Sequence, residues 1–170
     1  MAIILLAACG MNNEIGYKGK LLWKMHGDMQ HFIHLTTEKF VLFGRKTYES
    51  IGHCLPNRTN IVLSRDKNYH PHSSAFIYYS TSDVLREYKN YAEEKVDLYI
   101  CGGEEIYEQF LPHADILELT ILDAKFPQAD AFFPAFSIDE WKPVSRDYRW
   151  ADFRNEYGYT YVRYERDMVE

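Results

Sequence analysis

The sequence predicts an α/β fold with a mixed, mostly parallel sheet of about eight strands, about four helices and an antiparallel C-terminal edge. Continuous apolar runs, such as residues 3–8 (IILLAA) and 40–43 (FVLF), are typical of strands buried on both faces of a parallel sheet. Segments with helical spacing of apolar residues follow several of these runs. The last two strand segments, 144–150 and 157–166, alternate apolar and polar residues, which predicts antiparallel pairing with one face in water.

Composition and charge indicate an ordinary globular protein with one domain spanning residues 1–170. The net charge of -6 and the scattered Lys and Arg residues leave no basic face, which argues against nucleic acid or an anionic membrane as a partner. Cys9, Cys54 and Cys101 lack CxxC spacing, so we interpret them as reduced thiols or as buried small apolar side chains. The N-terminal apolar run is too short for a signal peptide or a membrane span. We therefore expect a cytoplasmic protein, with a monomer as its simplest state.

A long loop, residues 9–23 (CGMNNEIGYKGKLLW), follows the first strand. Loops of this length inside compact domains are usually lids or binding loops, so we predict a lid here. A helix comes next, and one stripe of it contains Met25, Asp28, Met29, Phe32, Leu35 and Thr36.

Asp28 is the exception on this apolar stripe. A dry, ionised carboxylate costs several kcal/mol, so it needs a partner or a raised pKa. No Lys or Arg stands at a favourable helical spacing to neutralise it. Two interpretations remain open. Asp28 is either a first-turn residue near the positive end of the helix dipole, or a buried acid facing a pocket with Trp23 and Phe32 as flat walls.

A strand–Gly–helix junction follows, in which strand 40–43 leads through GRKT (44–47) into a helix that ends near Gly52. Such a junction points free backbone N–H groups at the carboxyl edge of the sheet, where a phosphate can bind, although many α/β proteins have such a turn without a ligand. The next strand, 59–63, also ends in a hydroxyl and a cation, Ser64 and Arg65.

A second junction of this kind lies further along the chain. Strand 75–79 is followed by a helix at 82–92 with its N-cap within 80–82, and strand 97–100 then leads through CGG (101–103) into a helix at 104–111. The Gly-Gly pair allows either close approach of a ligand or side-by-side packing of two strands.

The remaining segments carry less chemical information. The loop at 67–74 contains HPH (70–72), but no third ligand is spaced nearby, so we predict no metal site. A strand is predicted at 116–122 and a turn at 138–141.

Taken together, these segments resemble the dihydrofolate reductase family over essentially the whole chain. The matching blocks are, in order, IGYKGKLLW followed by Asp28 and Phe32, FGRKTYESIG, LPNRTNIVLSR, YICGGEEIYEQFLPHAD, LELTILDA and DAFFP. Ordered blocks at compatible spacing are specific where one short motif would be weak. The resemblance implies reduction of dihydrofolate to tetrahydrofolate with NADPH, in support of one-carbon metabolism. It also implies inhibition by antifolates such as methotrexate or trimethoprim.

The resemblance also implies roles for individual residues. Asp28 would hydrogen-bond the pterin as the ionisable group at the reacting ring, Trp23 would hold an ordered water, and the Thr120 hydroxyl would support the carboxylate. Arg58 would pair with the α-carboxylate of the glutamate tail, where its planar fork fits. The loop at 9–23 would close over the nicotinamide and the pterin.

The implied binding positions fall into two sets. The substrate-binding set is Leu6, Ala7, Ala8, Asp28, Met29, Phe32, Ile51, Leu55, Arg58, Ile100, Tyr107 and Thr120. The cofactor-binding set is Ala8, Ile15, Gly16, Gly19, Lys20, Leu21, Gly44, Arg45, Lys46, Thr47, Leu63, Ser64, Arg65, Ile100, Gly102, Gly103, Glu104, Glu105, Ile106 and Tyr107. Within it, Arg45, Ser64 and Arg65 would lie nearest the adenosine 2′-phosphate.

The chain departs from the family pattern in four places. Leu22 stands where the family usually has Pro before the loop Trp, and HGD (26–28) replaces the usual Pro-x-Asp. Both changes predict a looser lid hinge. Cys101 replaces a common Gly or Ile, and Ala131 follows Asp130 where Thr is common.

The chemistry suits these residues independently of the resemblance. Reduction of an imine by hydride needs a donor held face to face with the ring, a proton for the imine nitrogen, and exclusion of water. Two alternatives have weaker support. The reductase of riboflavin synthesis is similar in fold and cofactor but is not expected to combine Asp28 with Arg58. A nucleotide-binding module without catalysis would not explain Asp28 beside Trp23 and Phe32.

Overall fold

Strand β1 (Ile3–Cys9) lies inside an eight-stranded sheet because its side chains are apolar on both faces. The computed structural model describes residues 1–71, 74–90 and 95–168. The other strands are β2 (Glu14–Gly16), β3 (Phe40–Gly44), β4 (Thr59–Leu63), β5 (Phe76–Tyr78), β6 (Leu98–Ile100), β7 (Ile116–Leu122), β8 (Ala131–Phe132), β9 (Trp141–Arg149) and β10 (Tyr159–Arg166). The helices are α1 (His26–Thr36), α2 (Arg45–Ile51), α3 (Thr81–Asn90) and α4 (Glu104–Phe110).

The strand order across the sheet is β5-β4-β3-β6-β1-β7-β10-β9. Neighbouring strands from β5 to β7 are parallel, whereas β10 is antiparallel to both β7 and β9. The predicted mixed sheet with an antiparallel C-terminal edge is therefore confirmed. The strand register also aligns three residues side by side across β1, β7 and β10. Ala8 pairs with Thr120, and Thr120 pairs with Tyr161.

Alternate residues of the central strands build two separate cores. Leu5 and Leu42 belong to the core under α3 and α4, together with Val84 and Phe110. Their neighbours along the strands, Ile4, Leu6, Val41 and Phe43, belong to the opposite core, against which α1 and α2 pack. The two-sided apolar runs of the sequence are thus explained by helices on both faces.

Two local predictions were wrong. The loop at 9–23 contains the short strand β2, which pairs with β8, and the sequence did not indicate either strand. Strand β9 does not have one buried face, because only Trp141 is buried and the other eight residues are exposed. This strand is at the edge of the sheet, where little covers it.

Helix α3 begins as predicted. Its cap is Ser80, whose Oγ accepts a hydrogen bond from the backbone N–H of Asp83 at 3.1 Å. The predicted helix end at 91–92 and the predicted loop residue His72 lie outside the described residues. Across the described ranges, no helix is both long enough and apolar enough to cross a membrane.

Candidate active site

A cavity of about 480 Å³ opens where the lid loop, helices α1 and α2 and the carboxyl ends of β1 and β6 meet. This volume suits a small-molecule ligand. Most of the predicted site residues line it: Leu6, Ala7, Ala8, Ile15, Gly16, Gly19, Lys20, Leu21, Asp28, Met29, Phe32, Thr47, Ile51, Leu55, Gly102, Gly103, Glu104 and Tyr107. Met29 is 53% exposed because it faces this cavity instead of the core.

The remaining predicted residues do not line this cavity, and several lining residues were not predicted. The predicted residues outside the lining are Trp23, Gly44, Arg45, Lys46, Arg58, Leu63, Ser64, Arg65, Ile100, Glu105, Ile106 and Thr120. The lining residues that were not assigned to the site are Tyr17, His31, Phe43, Ser50, His53, Cys101 and Ala131. Helical spacing could have indicated His31, which lies three residues after Asp28.

Asp28 satisfies both interpretations of the sequence. It lies in the first turn of α1 and also lines the cavity. Burial raises its pKa above the ordinary value of 3.8, while a hydrogen bond from Thr120 and the nearby indole N–H of Trp23 oppose that rise. Trp23 is buried, and its indole N–H makes no direct hydrogen bond of normal length within the described residues. Its nearby N–H dipole therefore favours the charged carboxylate without a direct hydrogen bond.

The ionisable neighbours of Asp28 stay neutral near physiological pH. Burial raises the pKa of the Cys9 thiol to about 12 and the pKa of Tyr107 well above its usual value. Burial also raises the pKa of Tyr161, while it lowers the pKa of His31. Among these side chains, Asp28 is the one placed to exchange a proton with a bound molecule.

Arg58 stands behind the Phe32 wall of the cavity. Its Nε donates to Thr36 Oγ1 at 2.9 Å, one of its Nη atoms donates to the Pro56 carbonyl at 3.2 Å, and its guanidinium lies 5.8 Å from the centre of the Phe32 ring. Within the described ranges it forms no ion pair with a carboxylate. The remaining donors of its guanidinium can bind an anionic group.

The two glycine junctions meet at the carboxyl ends of the neighbouring central strands β3 and β6. The N–H of Gly44 donates to the Gly102 carbonyl at 2.8 Å, and a Cβ on Gly44 would lie 2.8 Å from Ile106 Cγ1. Gly102 has a φ of 112°, which favours glycine. These glycines therefore allow the two strand ends to pack together, and Gly102 and Gly103 also face the cavity.

The candidate phosphate-binding cations lie outside the cavity and are paired with acids. Arg45 lies 3.6 Å from Asp66 Oδ2, and Arg65 lies 3.2 Å from Glu105 Oε2. The hydroxyl of Ser64 accepts a hydrogen bond from the Asp66 N–H at 3.1 Å. Because these ion pairs are exposed, each contributes little and can be exchanged for a phosphate.

The predicted looseness at the start of α1 is wrong. A Cβ on Gly27 would lie 2.1 Å from the Tyr159 hydroxyl, so glycine is required there by close approach. The Gly27 N–H donates to Asn155 Oδ1 at 2.8 Å, and its carbonyl accepts from the Tyr161 hydroxyl at 3.0 Å. This peptide is held tightly from the C-terminal strands.

Metal ligands do not converge in the part of the chain that the structure describes. No three His, Cys, Asp or Glu side chains of residues 1–71, 74–90 and 95–168 are arranged to hold an ion.

Comparison with known proteins identifies relatives over nearly the full length. The family model described as dihydrofolate reductase matches residues 2–166. The dihydrofolate reductase of Haemophilus influenzae is 38% identical over 157 residues, which cover 92% of this chain and 94% of the relative. That of Staphylococcus haemolyticus is 34% identical over 166 residues, covering 98% and 96%. A solved structure of dihydrofolate reductase from Enterococcus faecalis, complexed with NADP(H) and RAB-propyl, superposes with a TM-score of 0.87 at 28% identity, covering 98% of this chain and 96% of that one.

Proposed function

Since this chain belongs to the dihydrofolate reductase family and reduces dihydrofolate to tetrahydrofolate, we propose that Asp28 is the group that supplies the proton for the reaction. The single observation that carries this proposal is a carboxyl of raised pKa in the cavity wall, beside Thr120 and Trp23. The product serves one-carbon metabolism, in thymidylate, purine and amino-acid synthesis. The reductase of riboflavin synthesis finds no support among the relatives, which are dihydrofolate reductases.

NADPH supplies the hydride when bound, and the residues present fit it. Gly102 and Gly103 leave room at the cavity wall that side chains would fill, and Thr47 adds a hydroxyl there. Arg45 and Arg65 would hold the 2′-phosphate in exchange for their present acidic partners. The other cofactor positions named above complete the proposed set.

We propose that the substrate binds against the opposite wall of the cavity. Phe32 and Leu55 line it with apolar surface, and Met29 is exposed to it. The substrate would cover these side chains and so exclude water from the reacting ring. Arg58, which has free donors beside Phe32, would bind the tail carboxylate.

The proton-transfer residues act as a unit. Desolvation favours the neutral carboxyl of Asp28, and the Thr120 hydroxyl fixes its orientation. Among the residues that the structure describes, the buried indole N–H of Trp23 has no direct hydrogen-bond partner, so it is the donor best placed to hold an ordered water next to that carboxyl. A protonated carboxyl with a water path can then deliver its proton to the imine nitrogen.

The first prediction tests this role. Asp28→Asn should lower the hydride-transfer rate by a factor of about 10² or more near neutral pH, because the proton donor is lost. In the wild type the rate should fall as pH rises above 3.8 and through the raised pKa of Asp28. NADPH oxidation followed by absorbance, with and without dihydrofolate, measures both effects.

The matched control is Asp139→Asn in the exposed turn before β9. It should leave the rate and its pH dependence unchanged. Full activity in Asp28→Asn would refute the assignment of Asp28.

We further propose a cytoplasmic monomer with one domain over residues 1–170. Three free cysteines support a reducing compartment. Antifolates such as methotrexate or trimethoprim are proposed inhibitors, since a protonated heteroaromatic ring can pair with ionised Asp28.

A further inference from the structure

Helix α1 lacks an N-cap of its own. The residue at its N-cap position is Met25, whose side chain makes no capping hydrogen bond. The first backbone N–H groups of a helix have no partner within the helix, so they must be satisfied from elsewhere. This matters because Asp28 stands in that first turn.

Asn155 supplies the missing cap from the connection between β9 and β10. Its Oδ1 accepts the Gly27 N–H at 2.8 Å, although the two residues are 128 positions apart. Asn155 is 5% exposed, and its Nδ2 donates to Asp152 Oδ1 at 3.0 Å. The second bond fixes which end of the amide faces the helix.

Tyr161 holds the other side of the same residue. Its hydroxyl donates to the Gly27 carbonyl at 3.0 Å, in the peptide that leads to Asp28. Tyr161 also pairs in register with Thr120, the residue that hydrogen-bonds the Asp28 carboxylate. The backbone before Asp28 and its carboxylate are therefore held by the same pair of strands.

We propose that Asn155 is a positioning residue for hydride transfer, which fixes the Asp28 carboxyl by capping α1 from a distant part of the chain. This inference rests on the role proposed for Asp28. Without the cap, the first turn can shift, and the carboxyl moves from the place where Thr120 and Trp23 orient it. A displacement of about 1 Å at a reacting group is enough to lower a rate by orders of magnitude.

Most groups that face Asp28 do not titrate near neutrality. Cys9 on β1, Tyr107 on α4 and Tyr161 on β10 all have raised pKa values and stay neutral. His31, one turn further along α1, has a lowered pKa, so its own titration falls below neutrality. The pH profiles are therefore compared in a His31→Gln background, where a remaining change in the midpoint reports on Asp28.

The second prediction is a test of this cap. Asn155→Ala should slow single-turnover hydride transfer by about tenfold. It should also raise the pH midpoint of the rate by about half a unit, because the hydrogen bonds that lower the pKa of Asp28 become weaker. Stopped-flow measurements across pH provide both values. A wild-type rate with an unchanged or lowered midpoint would overturn the proposal.

Ser80→Ala is the matched control, since Ser80 caps α3 through its side chain. Ser80→Ala should lower the melting temperature about as much as Asn155→Ala does, and it should leave the pH midpoint of the rate unchanged. Tyr161→Phe keeps the ring but removes the hydroxyl that binds Gly27, and it should shift the midpoint in the same direction even if Asn155→Ala does not fold. A wild-type profile for Tyr161→Phe would count against the proposal.

The Asp28→Asn background separates this inference from the proposed function. There, Asn155→Ala should cause no further loss of rate. If Asp28→Asn retains activity, the proposed role of Asp28 fails. If Asp28→Asn loses activity but Asn155→Ala behaves as wild type, only the positioning role fails.

Discussion

At the scale of single residues, Asp28 combines two opposed influences. Burial favours its neutral form, and a hydrogen bond from Thr120 together with the nearby indole N–H of Trp23 favours its charged form. Because burial is the larger cause, the carboxyl can hold a proton at a higher pH than an ordinary Asp while keeping a defined orientation. Both properties suit a general acid.

Arg45 and Arg65 show a different residue-scale balance. Each lies beside a carboxylate, Asp66 and Glu105, at the edge where a phosphate is expected. Both pairs are exposed to water, and such pairs contribute only about 0–1 kcal/mol. A doubly charged phosphate can therefore compete for these cations.

A third prediction concerns cofactor preference. Replacing Arg45 and Arg65 together by Ala should reduce the preference for NADPH over NADH by about tenfold or more, since a charge-assisted hydrogen bond contributes about 1.5–3 kcal/mol. The measured quantity is kcat/KM for each cofactor. Arg86→Ala, which removes an exposed Arg paired with Asp83 at 2.7 Å, is the control and should leave the ratio unchanged. An unchanged ratio in the double variant would show that the 2′-phosphate binds elsewhere.

At the scale of elements, the lid loop is more ordered than its glycines suggest. Strand β2 pairs with β8, and Tyr17 and Lys20 exchange backbone hydrogen bonds of 2.9 and 3.0 Å around a tight turn. The Lys18 N–H also donates to the Asp130 carboxylate at 3.1 Å. Leu22, at the end of this loop, is held by side-chain packing and not through its N–H, which makes no hydrogen bond within the described residues.

This order leads to a fourth prediction. Leu22→Pro should restrict the end of the lid without removing a hydrogen bond, and so reduce the entropy lost on closing by about 0.4–1 kcal/mol. Hydride transfer should rise, or NADPH binding should tighten, by about two- to fivefold. Product release should slow, since it requires the lid to open. Stopped-flow and product-release measurements give these rates.

Leu22→Ala is the control for lost packing, because Leu22 packs against the cluster around Trp23 and Phe126. If Leu22→Pro and Leu22→Ala behave alike, position 22 does not act as a hinge. A melting temperature lower for Leu22→Pro than for Leu22→Ala would indicate a strained backbone.

At the scale of the whole molecule, the site depends on chain segments that are far apart in sequence. The sheet register aligns Ala8, Thr120 and Tyr161 across three neighbouring strands, and α1 lies against this row. Global unfolding exposes Asp28 and returns its pKa to an ordinary value. Its ionisation is therefore linked to the stability of the whole fold.

The fifth prediction follows from this linkage. Because the pKa of Asp28 is raised in the folded state, the stability associated with its neutral form is complete below pH 3.8 and is lost as pH rises through the folded-state value. Asp28→Asn should therefore melt higher than wild type at neutral pH and equal to it below pH 3.8. A rise of about 2–4 °C corresponds to roughly 1 kcal/mol in a domain of this size. Melting curves across pH would contradict the linkage if the difference were the same at every pH.

The sequence by itself determined the architecture, and its resemblance to the family assigned most of the cavity wall. Apolar runs, helical stripes and glycine junctions are patterns of nearby residues. Burial of a sheet or helix face imposes their spacing, so they can be recognised directly in the sequence. The stripe residues Asp28 and Phe32 were found in this way. Only the tertiary structure decided that Asn155 caps α1 and that β2 pairs with β8. Hydrogen bonds between distant segments leave no periodic pattern in either segment, since each partner is satisfied only once the sheet brings the two together.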